Sequence, residues 1–187
     1  MRADLLDLDA TKAAMEGVET VHHMAANPDI RLGTEVTDTD LRQGTVATYN
    51  VLEAMRSAGV SRISFSSSSA IYGEADVMPT PETYGPIKPI SLYGASKLAS
   101  EGLIRAWCGT FGAKSWIHRF ANIVGPRGTH GVIFDFIHKL KADPTRLEVL
   151  GDGLQEKSYM SAEDCVRAMV HLVDETDEAV NLYNLGT

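Results

Sequence analysis

Short apolar runs alternate with longer stretches of helical periodicity along most of the chain. Residues 19–26 (ETVHHMAA) predict a buried strand, and residues 61–69 (SRISFSSSS) predict a second strand that runs into a polar loop. The later runs at residues 114–123, 146–151 and 180–186 predict three more strands. Strands that alternate with helices imply an α/β fold with a mostly parallel sheet flanked by helices.

Four helices are predicted, at residues 38–59, 91–111, 131–141 and 161–175. Gly59 and Gly112 stand where a left-handed residue would end the first two helices. Ser161 and Asp164 form a capping-box pattern at the start of the last one. We expect one domain over residues 1–187. In such sheets ligands bind beyond the carboxyl ends of the strands, which directs attention to the loops after Phe65 and Phe120.

Composition narrows the possible functions. The chain has 187 residues, of which 44% are hydrophobic, enough for a core. A formal net charge of −8 argues against nucleic-acid or anionic-membrane partners. Cys108 and Cys165 are too few for a disulfide framework or a zinc site, so we expect a reducing compartment, the cytoplasm. No apolar run is long enough to cross a bilayer.

Tyr93 and Lys97 are the first candidates for chemistry. They stand four apart in the predicted helix 91–111, so the phenol and the ammonium can approach one point. A free tyrosine, with a pKa of about 10, is a weak base, and a nearby cation favours the phenolate. The spacing alone equally fits two polar residues on a solvated helix face. Ser68, in a serine run that could also be a flexible loop, lies 25 residues before Tyr93 and could hydrogen-bond a substrate oxygen beside the phenol.

Five stretches, taken together and in order, carry a family resemblance. They are VHHMAA (21–26), FSSSSAIYG (65–73), YGASK (93–97), RFANIVGPR (119–127) and LEVLGDGLQEKSY (147–159). The sequence resembles the extended short-chain dehydrogenase/reductase family, the NAD-dependent sugar-nucleotide epimerases and dehydratases. Within that family it looks most similar to the UDP-glucose (UDP-galactose) 4-epimerases.

The resemblance implies a role for each residue of the suspected site. Tyr93 would be the base that takes a proton from the sugar 4-hydroxyl while hydride passes to NAD. Lys97 would bind the nicotinamide ribose and lower the pKa of Tyr93, and Ser68 would hydrogen-bond the same sugar oxygen. Hydride would then return to the other face of a 4-keto intermediate.

The resemblance also implies two sets of binding residues. The NAD-binding set is Asp4, Leu5, Met24, Ala25, Ala26, Ser66, Tyr93, Lys97 and Ala121. The substrate-binding set is Ser68, Tyr93, Asn122, Val132 and Lys157. Ala25 and Ala26 would let the backbone approach the dinucleotide, Asp4 and Leu5 match positions near the adenine, and Asn122 would contact the substrate diphosphate. No metal site is expected, and His22 and His23 fit a strand better than a metal centre.

The residues after Ser68 bear on the type of reaction. The related 4,6-dehydratases place Asp and Glu there, because eliminating water needs a general acid and a general base. Sugar-acid decarboxylases also place a Glu there. This chain has Ser69 and Ala70 instead, which favours reversible oxidation as in the epimerases.

The sequence departs from the family pattern in several places. It contains no G-x-x-G-x-x-G motif after an N-terminal strand, and it resembles the middle of an epimerase, a partial Rossmann-type fold without the first βαβ unit and the C-terminal lobe. Gly44 and Gly131 replace common NAD-contacting and substrate-contacting asparagines, and Lys157–Ser158 replaces Arg–Asp. We therefore expect these residues alone to bind NAD weakly, if at all, and to show no measurable epimerisation.

Three hypotheses stay open at the level of sequence. The first is an NAD-dependent 4-epimerase of a nucleotide sugar. The second is a catalytically silent remnant that folds and self-associates without NAD. The third is an oxidoreductase or decarboxylase of the same superfamily acting on another nucleotide sugar. In each case we expect a homodimer through the helices at residues 38–58 and 91–111, as is common in the family.

Overall fold

Parallel strands form the centre of the protein in the computed structural model, which describes residues 1–129 and 131–186. The strands are β1 (Val21–His23), β2 (Arg62–Ser68), β3 (Lys114–Phe120), β4 (Asn122–Val124), β5 (Tyr159–Ser161) and β6 (Val180–Leu185). Four of them form one sheet in the order β1-β2-β3-β6, and β4 and β5 pair in a second sheet. Every pairing is parallel, as the β–α alternation predicts.

Helices fill the connections between the strands. They are α1 (Leu8–Ala13), α2 (Leu32–Glu35), α3 (Ala47–Ala58), α4 (Leu92–Phe111), α5 (Val132–Ala142) and α6 (Ala162–Glu175). A π-helical turn, Leu41–Val46, leads into α3, and a 3₁₀ turn, Ser69–Tyr72, follows β2. None of these helices is long and apolar enough to span a membrane.

The core lies between β2, β3 and the helices α3 and α4. Phe65 and Ile117 from the strands pack with Leu52 and Met55 of α3 and Ile104 of α4. All five side chains are at most 1% exposed. Both strands are buried over their five middle residues although polar side chains outnumber apolar ones, so their polar groups depend on partners inside the protein.

The predicted helix ends at Gly59 and Gly112 are confirmed, because both glycines adopt left-handed conformations, with φ of 72° and 70°. Ser91 caps the start of α4, where its hydroxyl accepts a hydrogen bond of 3.0 Å from the backbone N–H of Gly94. Ser161 caps α6 in the same way through the N–H of Asp164. The Ser91 cap fixes where α4 begins, and therefore where Tyr93 stands.

Several boundaries differ from the prediction. Within the described parts of the chain, residues 146–151 form no strand; they lie on the surface, where Leu150 is 82% exposed and no neighbouring strand pairs with them. The run at 114–123 breaks at Ala121 into β3 and β4, and β1 is only three residues long. The helix predicted from residue 38 begins instead with the π-helical turn. Gly44 lies in that turn, and a Cβ there would lie 2.0 Å from the Ser96 hydroxyl oxygen of α4.

Candidate functional site

A cleft of about 380 Å³ opens at the carboxyl end of the main sheet. It is lined by Met24, Ala26, Asn27, Pro28, Ser66, Ser67, Ser68, Tyr93, Lys97, Phe120, Ala121 and Ile123. Parallel strands bring their carboxyl ends to one edge, so the end of β2 and the residues after β1 and β3 meet there. The first turns of α4 close one side and contribute Tyr93 and Lys97.

Lys97 is buried deep in this cleft, with 3% of its surface exposed. Its ammonium donates a hydrogen bond of 2.5 Å to the carbonyl of Ser66. The Nζ atom lies 4.8 Å from the ring centre of Phe65 and 5.7 Å from that of Tyr93. Burial lowers the pKa of Lys97 from 10.5 to about 8, so the ammonium is still charged at neutral pH.

Tyr93 has a raised pKa in this structure. Burial is the largest cause, and the negative charge of Asp40 adds to it, while a hydrogen bond with the Ser68 side chain acts in the opposite direction. The structure therefore shows the opposite of the lowered Tyr93 pKa that the resemblance implies. The Lys97 ammonium is directed at the Ser66 carbonyl, which leaves the desolvation of the phenol as the dominant effect.

Ser68 ends β2 and begins the 3₁₀ turn. Its hydroxyl accepts a hydrogen bond of 3.1 Å from the N–H of Ala70, so the side chain is held at the turn. The turn packs closely on α4, because a Cβ at Gly94 would lie only 2.5 Å from the carbonyl oxygen of Ala70. Ser68 and Tyr93 line the same cleft on either side of this contact.

A second cleft, of about 290 Å³, lies beside the first. It is lined by Ala3, Asp4, Leu5, Leu6, Ala25, Ala26, Gln43 and Ala47. The N-terminal segment is held there by Asn50 of α3, whose side-chain amide donates a 2.7 Å hydrogen bond to the Leu5 carbonyl. Ala26 lines both clefts, so one small side chain stands between them.

The structure brings most of the suspected site residues together, but not all of them. Met24, Ala26, Ser66, Ser68, Tyr93, Lys97 and Ala121 line the first cleft, and Asp4, Leu5, Ala25 and Ala26 line the second. Asn122, Val132 and Lys157 line neither. The Asn122 side-chain amide donates to the Ser158 carbonyl at 3.0 Å, and Val132 starts the exposed helix α5.

Sequence reasoning missed other residues that line the first cleft, among them Asn27, Ser67 and Phe120. Asn27 directly follows the Ala–Ala pair, and Ser67 lies inside the serine run, so position next to a motif was the available signal. The side-chain amide of buried Asn27 donates to an Asp40 carboxylate oxygen at 3.0 Å. Asp40 is itself only 2% exposed.

Over residues 1–129 and 131–186, no group of three or more His, Cys, Asp or Glu side chains is placed to hold a metal ion. His23 instead pairs with a hydroxyl, with 3.0 Å between its Nε2 and Thr48 Oγ1. Its pKa is lowered to about 4, mainly by burial and further by the charge of Lys97.

The parallel sheet, the Tyr–Lys helix and the serine-bearing strand end define a Rossmann-type protein of the short-chain dehydrogenase/reductase class. The model of the NAD dependent epimerase/dehydratase family matches residues 1–186, and the chain belongs to that family.

Three related proteins show the extent of the similarity. The chain is 30% identical to the UDP-glucose 4-epimerase of Corynebacterium glutamicum, across 100% of this chain and 61% of that protein. A crystal structure of a UDP-galactose 4-epimerase is 43% identical, with a TM-score of 0.86, and is matched over 98% of this chain and 60% of that one. MoeE5 in complex with UDP-glucose and NAD is 31% identical, with a TM-score of 0.88, over 100% of this chain and 62% of that one. The chain thus spans about three fifths of their length.

Proposed function

We propose that this chain carries the reaction centre of an NAD-dependent 4-epimerase acting on a nucleotide sugar of the UDP-glucose/UDP-galactose type. The observation that carries the proposal is the meeting of Tyr93, Lys97 and Ser68 in one cleft at the carboxyl end of the sheet. The 43% identity to a UDP-galactose 4-epimerase favours this substrate class over others in the family.

The two clefts fit the two halves of a dinucleotide. Lys97 and the small residues Ala26 and Ala121 would hold the nicotinamide half in the first cleft, and Asp4 and Leu5 would face the adenine half in the second. NAD, when bound, would accept and return the hydride and bring a positively charged ring to the site. A second positive charge beside the phenol would counter the burial that raises the pKa of Tyr93.

In this proposal the protein transfers the proton of the sugar 4-hydroxyl and holds the oxygen of that hydroxyl in place. Tyr93 would take the proton from the sugar 4-hydroxyl and give it back after the 4-keto sugar has turned over. Ser68 would hydrogen-bond the same oxygen and hold it beside the phenol. Lys97 would bind the ribose through an ammonium that is already ordered by the Ser66 carbonyl.

The chemistry of the cleft supports epimerisation over elimination. Among the described residues that line the first cleft there is no Asp or Glu. Ser69 and Ala70 follow Ser68 in the 3₁₀ turn, so that turn also supplies no acid. Loss of water from the sugar would need such a group, whereas reversible oxidation needs only the phenol and the hydride acceptor.

NAD binding is the first test. We expect calorimetry to show weak binding to the 187-residue chain, because no G-x-x-G-x-x-G turn is present in it to hold the pyrophosphate.

Saturation-transfer NMR at millimolar NAD should still detect contact with the nicotinamide ring. Ala26→Phe, which fills the point between the clefts, should abolish that signal, and Glu163→Gln on α6 should not. No saturation transfer to NAD in the unaltered chain would contradict the proposal, and a micromolar dissociation constant would show that another element replaces the glycine turn.

Conversion of UDP-galactose to UDP-glucose is the second test. We expect no measurable rate from this chain alone, since it spans about three fifths of the length of its relatives and hydride transfer needs the sugar held closely in place. Any activity found, in this chain or in a longer protein that contains it, should disappear in Tyr93→Phe while NAD binding changes little. Activity that survives Tyr93→Phe would remove Tyr93 from the role of base.

A further inference from the structure

A polar row crosses the sheet one residue before its carboxyl edge. Ser67 on β2 is the register partner of Arg119 on β3, and Arg119 is the register partner of Asn184 on β6. Ser67 and Arg119 are at most 3% exposed. A polar row in the interior of a sheet needs a hydrogen-bond partner for every group, so its contacts are informative.

Glu101 of α4 is the hydrogen-bond partner that Ser67 and Arg119 share. Its carboxylate accepts hydrogen bonds from Ser67 Oγ at 2.5 Å, from Arg119 Nε at 3.0 Å and from Arg119 Nη2 at 2.8 Å. The remaining guanidinium nitrogen, Nη1, donates to the Tyr72 hydroxyl at 2.7 Å and to the Glu82 carbonyl at 3.0 Å. Tyr72 donates in turn to Asn184 Oδ1 at 2.7 Å. The Glu101–Arg119 ion pair is bidentate and buried, and the groups at both of its ends have further hydrogen-bond partners.

A buried ion pair of this kind adds little stability compared with apolar residues, because removing both charges from water costs about as much as their attraction returns. The ion pair has a larger effect on the position of α4 than on stability. A sliding or rotating α4 would leave two buried charges without partners, so the pair holds one register between helix and strand.

The position of α4 that the Glu101–Arg119 pair fixes is the one that brings the candidate site together. Tyr93, Lys97 and Glu101 follow one another at intervals of four residues on α4, along one face of the helix. They lie against three consecutive serines of β2. Lys97 donates to the Ser66 carbonyl and Glu101 accepts from the Ser67 hydroxyl. Tyr93 lines the first cleft together with Ser68, the next residue of the strand.

We propose that Glu101 and Arg119 are positioning residues, which fix α4 against the serine end of β2 and so hold Tyr93, Lys97 and Ser68 together. Neither residue lines the first cleft, so each acts through Ser67 and the helix rather than on a ligand. The inference rests on the proposed function only for what the positioned groups do. The positioning itself is a property of the protein without ligand.

Lys97 provides a readout of position that requires neither NAD nor sugar. Its pKa, measured by NMR titration of the chain with ¹³C-labelled lysine and assigned with Lys97→Arg, reports how well the ammonium is buried. Titratable groups near it include His23 from β1 and, on its own helix, Tyr93 and the Glu101 carboxylate, which bonds to the next serine of β2. Displacement of α4 would admit water and move the pKa from about 8 back toward 10.5.

Ser67→Ala and Glu101→Gln are the test variants. In both we expect the pKa of Lys97 to rise by about one unit or more as its burial is lost. For Glu101→Gln the sign is decisive, because removing a negative charge without moving the helix would lower the pKa of a lysine rather than raise it. Should Glu101→Gln fail to fold, Ser67→Ala, which leaves both charges in place, decides alone.

Ile104→Val is the matched control, since it weakens the core contact of the same helix without touching the polar row. Its melting temperature should fall while the pKa of Lys97 stays near that of the unaltered chain. An unchanged or lowered pKa of Lys97 in folded Ser67→Ala would overturn the proposal, as would a rise of equal size in Ile104→Val. Because this readout uses no cofactor, it stands or fails separately from the proposed epimerase activity.

Discussion

At the residue scale, Lys97 is a charged side chain in a buried position, which is unfavourable for an ammonium. An ammonium prefers water, yet this one is 3% exposed and is stabilised by a backbone carbonyl and two aromatic rings. Perturbed and buried charges concentrate at functional sites, where a group is held ready for a ligand at the expense of stability. The cost should therefore be measurable in the folding of the protein.

Lys97→Met is expected to change the pH dependence of stability. Between the folded pKa of about 8 and the usual 10.5, the unfolded chain keeps a proton that the folded chain has released, so stability rises with pH. Relative to the variant, the unaltered protein should gain up to about 3 kcal/mol across this window. Urea unfolding of both proteins at the two ends of the window measures the difference, and parallel curves would show that Lys97 is solvated.

The sequence could indicate the Tyr93–Lys97 pair and Ser68 because local spacing and strand position determine where they lie. For Asn27 and Phe120 the sequence offered only their position beside a motif or a strand end, and which side chains enter the cleft depends on the packing of separate elements. The sequence could not separate Asn122 from the cleft, because the chain turns at Ala121 and β4 joins another sheet. The direction of the Tyr93 pKa likewise depends on burial and on Asp40, 53 positions away in the chain.

At the scale of elements, the contact between the 3₁₀ turn and α4 sets the distance between Ser68 and Tyr93. Gly94→Ala would place a Cβ 2.5 Å from a backbone oxygen that cannot rotate away. We expect it to lower stability by about 1–3 kcal/mol and to weaken NAD contact, since the helix must shift.

Gly102→Ala on the same helix is the matched control for this prediction. Nothing lies within 4 Å of its added Cβ, so it should raise stability by about 0.5–1 kcal/mol through helix propensity. Thermal unfolding of both variants gives the comparison. Equal effects would mean that the close contact at Gly94 is not tight.

Element prediction succeeded for helices whose ends carry a local signal. Helices α4 and α6 have a serine cap at the start, and α4 also has a left-handed glycine at its end. It failed at residues 146–151, where an apolar run suggests a strand but the structure places no partner strand beside it. In the π-helical turn at Leu41–Val46, Gly44 approaches Ser96 of α4 too closely for a side chain, and no local sequence pattern reveals this approach.

At the scale of the whole molecule, two buried histidines predict sensitivity to acid. Burial is the largest cause that lowers the pKa of His23 and His118 from 6.5 to about 4. Between those values the unfolded chain binds protons that the folded chain does not, so stability is intact above pH 6.5 and falls as the pH drops toward 4. Each histidine should account for about 3 kcal/mol of the loss.

His118→Gln tests this prediction, because an amide can replace the contact with the Ser64 hydroxyl and cannot take up a proton. The fall in unfolding free energy between pH 6.5 and pH 4 should be smaller in the variant by about 3 kcal/mol. Urea unfolding at several pH values gives the two slopes. Identical slopes would mean that His118 takes up its proton without unfolding the protein.

We expect the protein to associate through α3, α4 and the turn before α3. Leu41, Tyr49 and Phe111 are 56%, 43% and 53% exposed, and Trp107 lies between the two aromatic rings. Apolar side chains that cluster on an outer face of two adjacent helices are typical of a helix-to-helix dimer contact. We expect sedimentation at micromolar concentration to show a dimer, and Tyr49→Glu to weaken it about tenfold or more by placing a charge in the apolar face. Val170→Glu is the control, because Val170 is 48% exposed on α6, outside this face, and the change should leave the dimer intact. A monomer at micromolar concentration, or equal effects of the two charges, would contradict association through these helices.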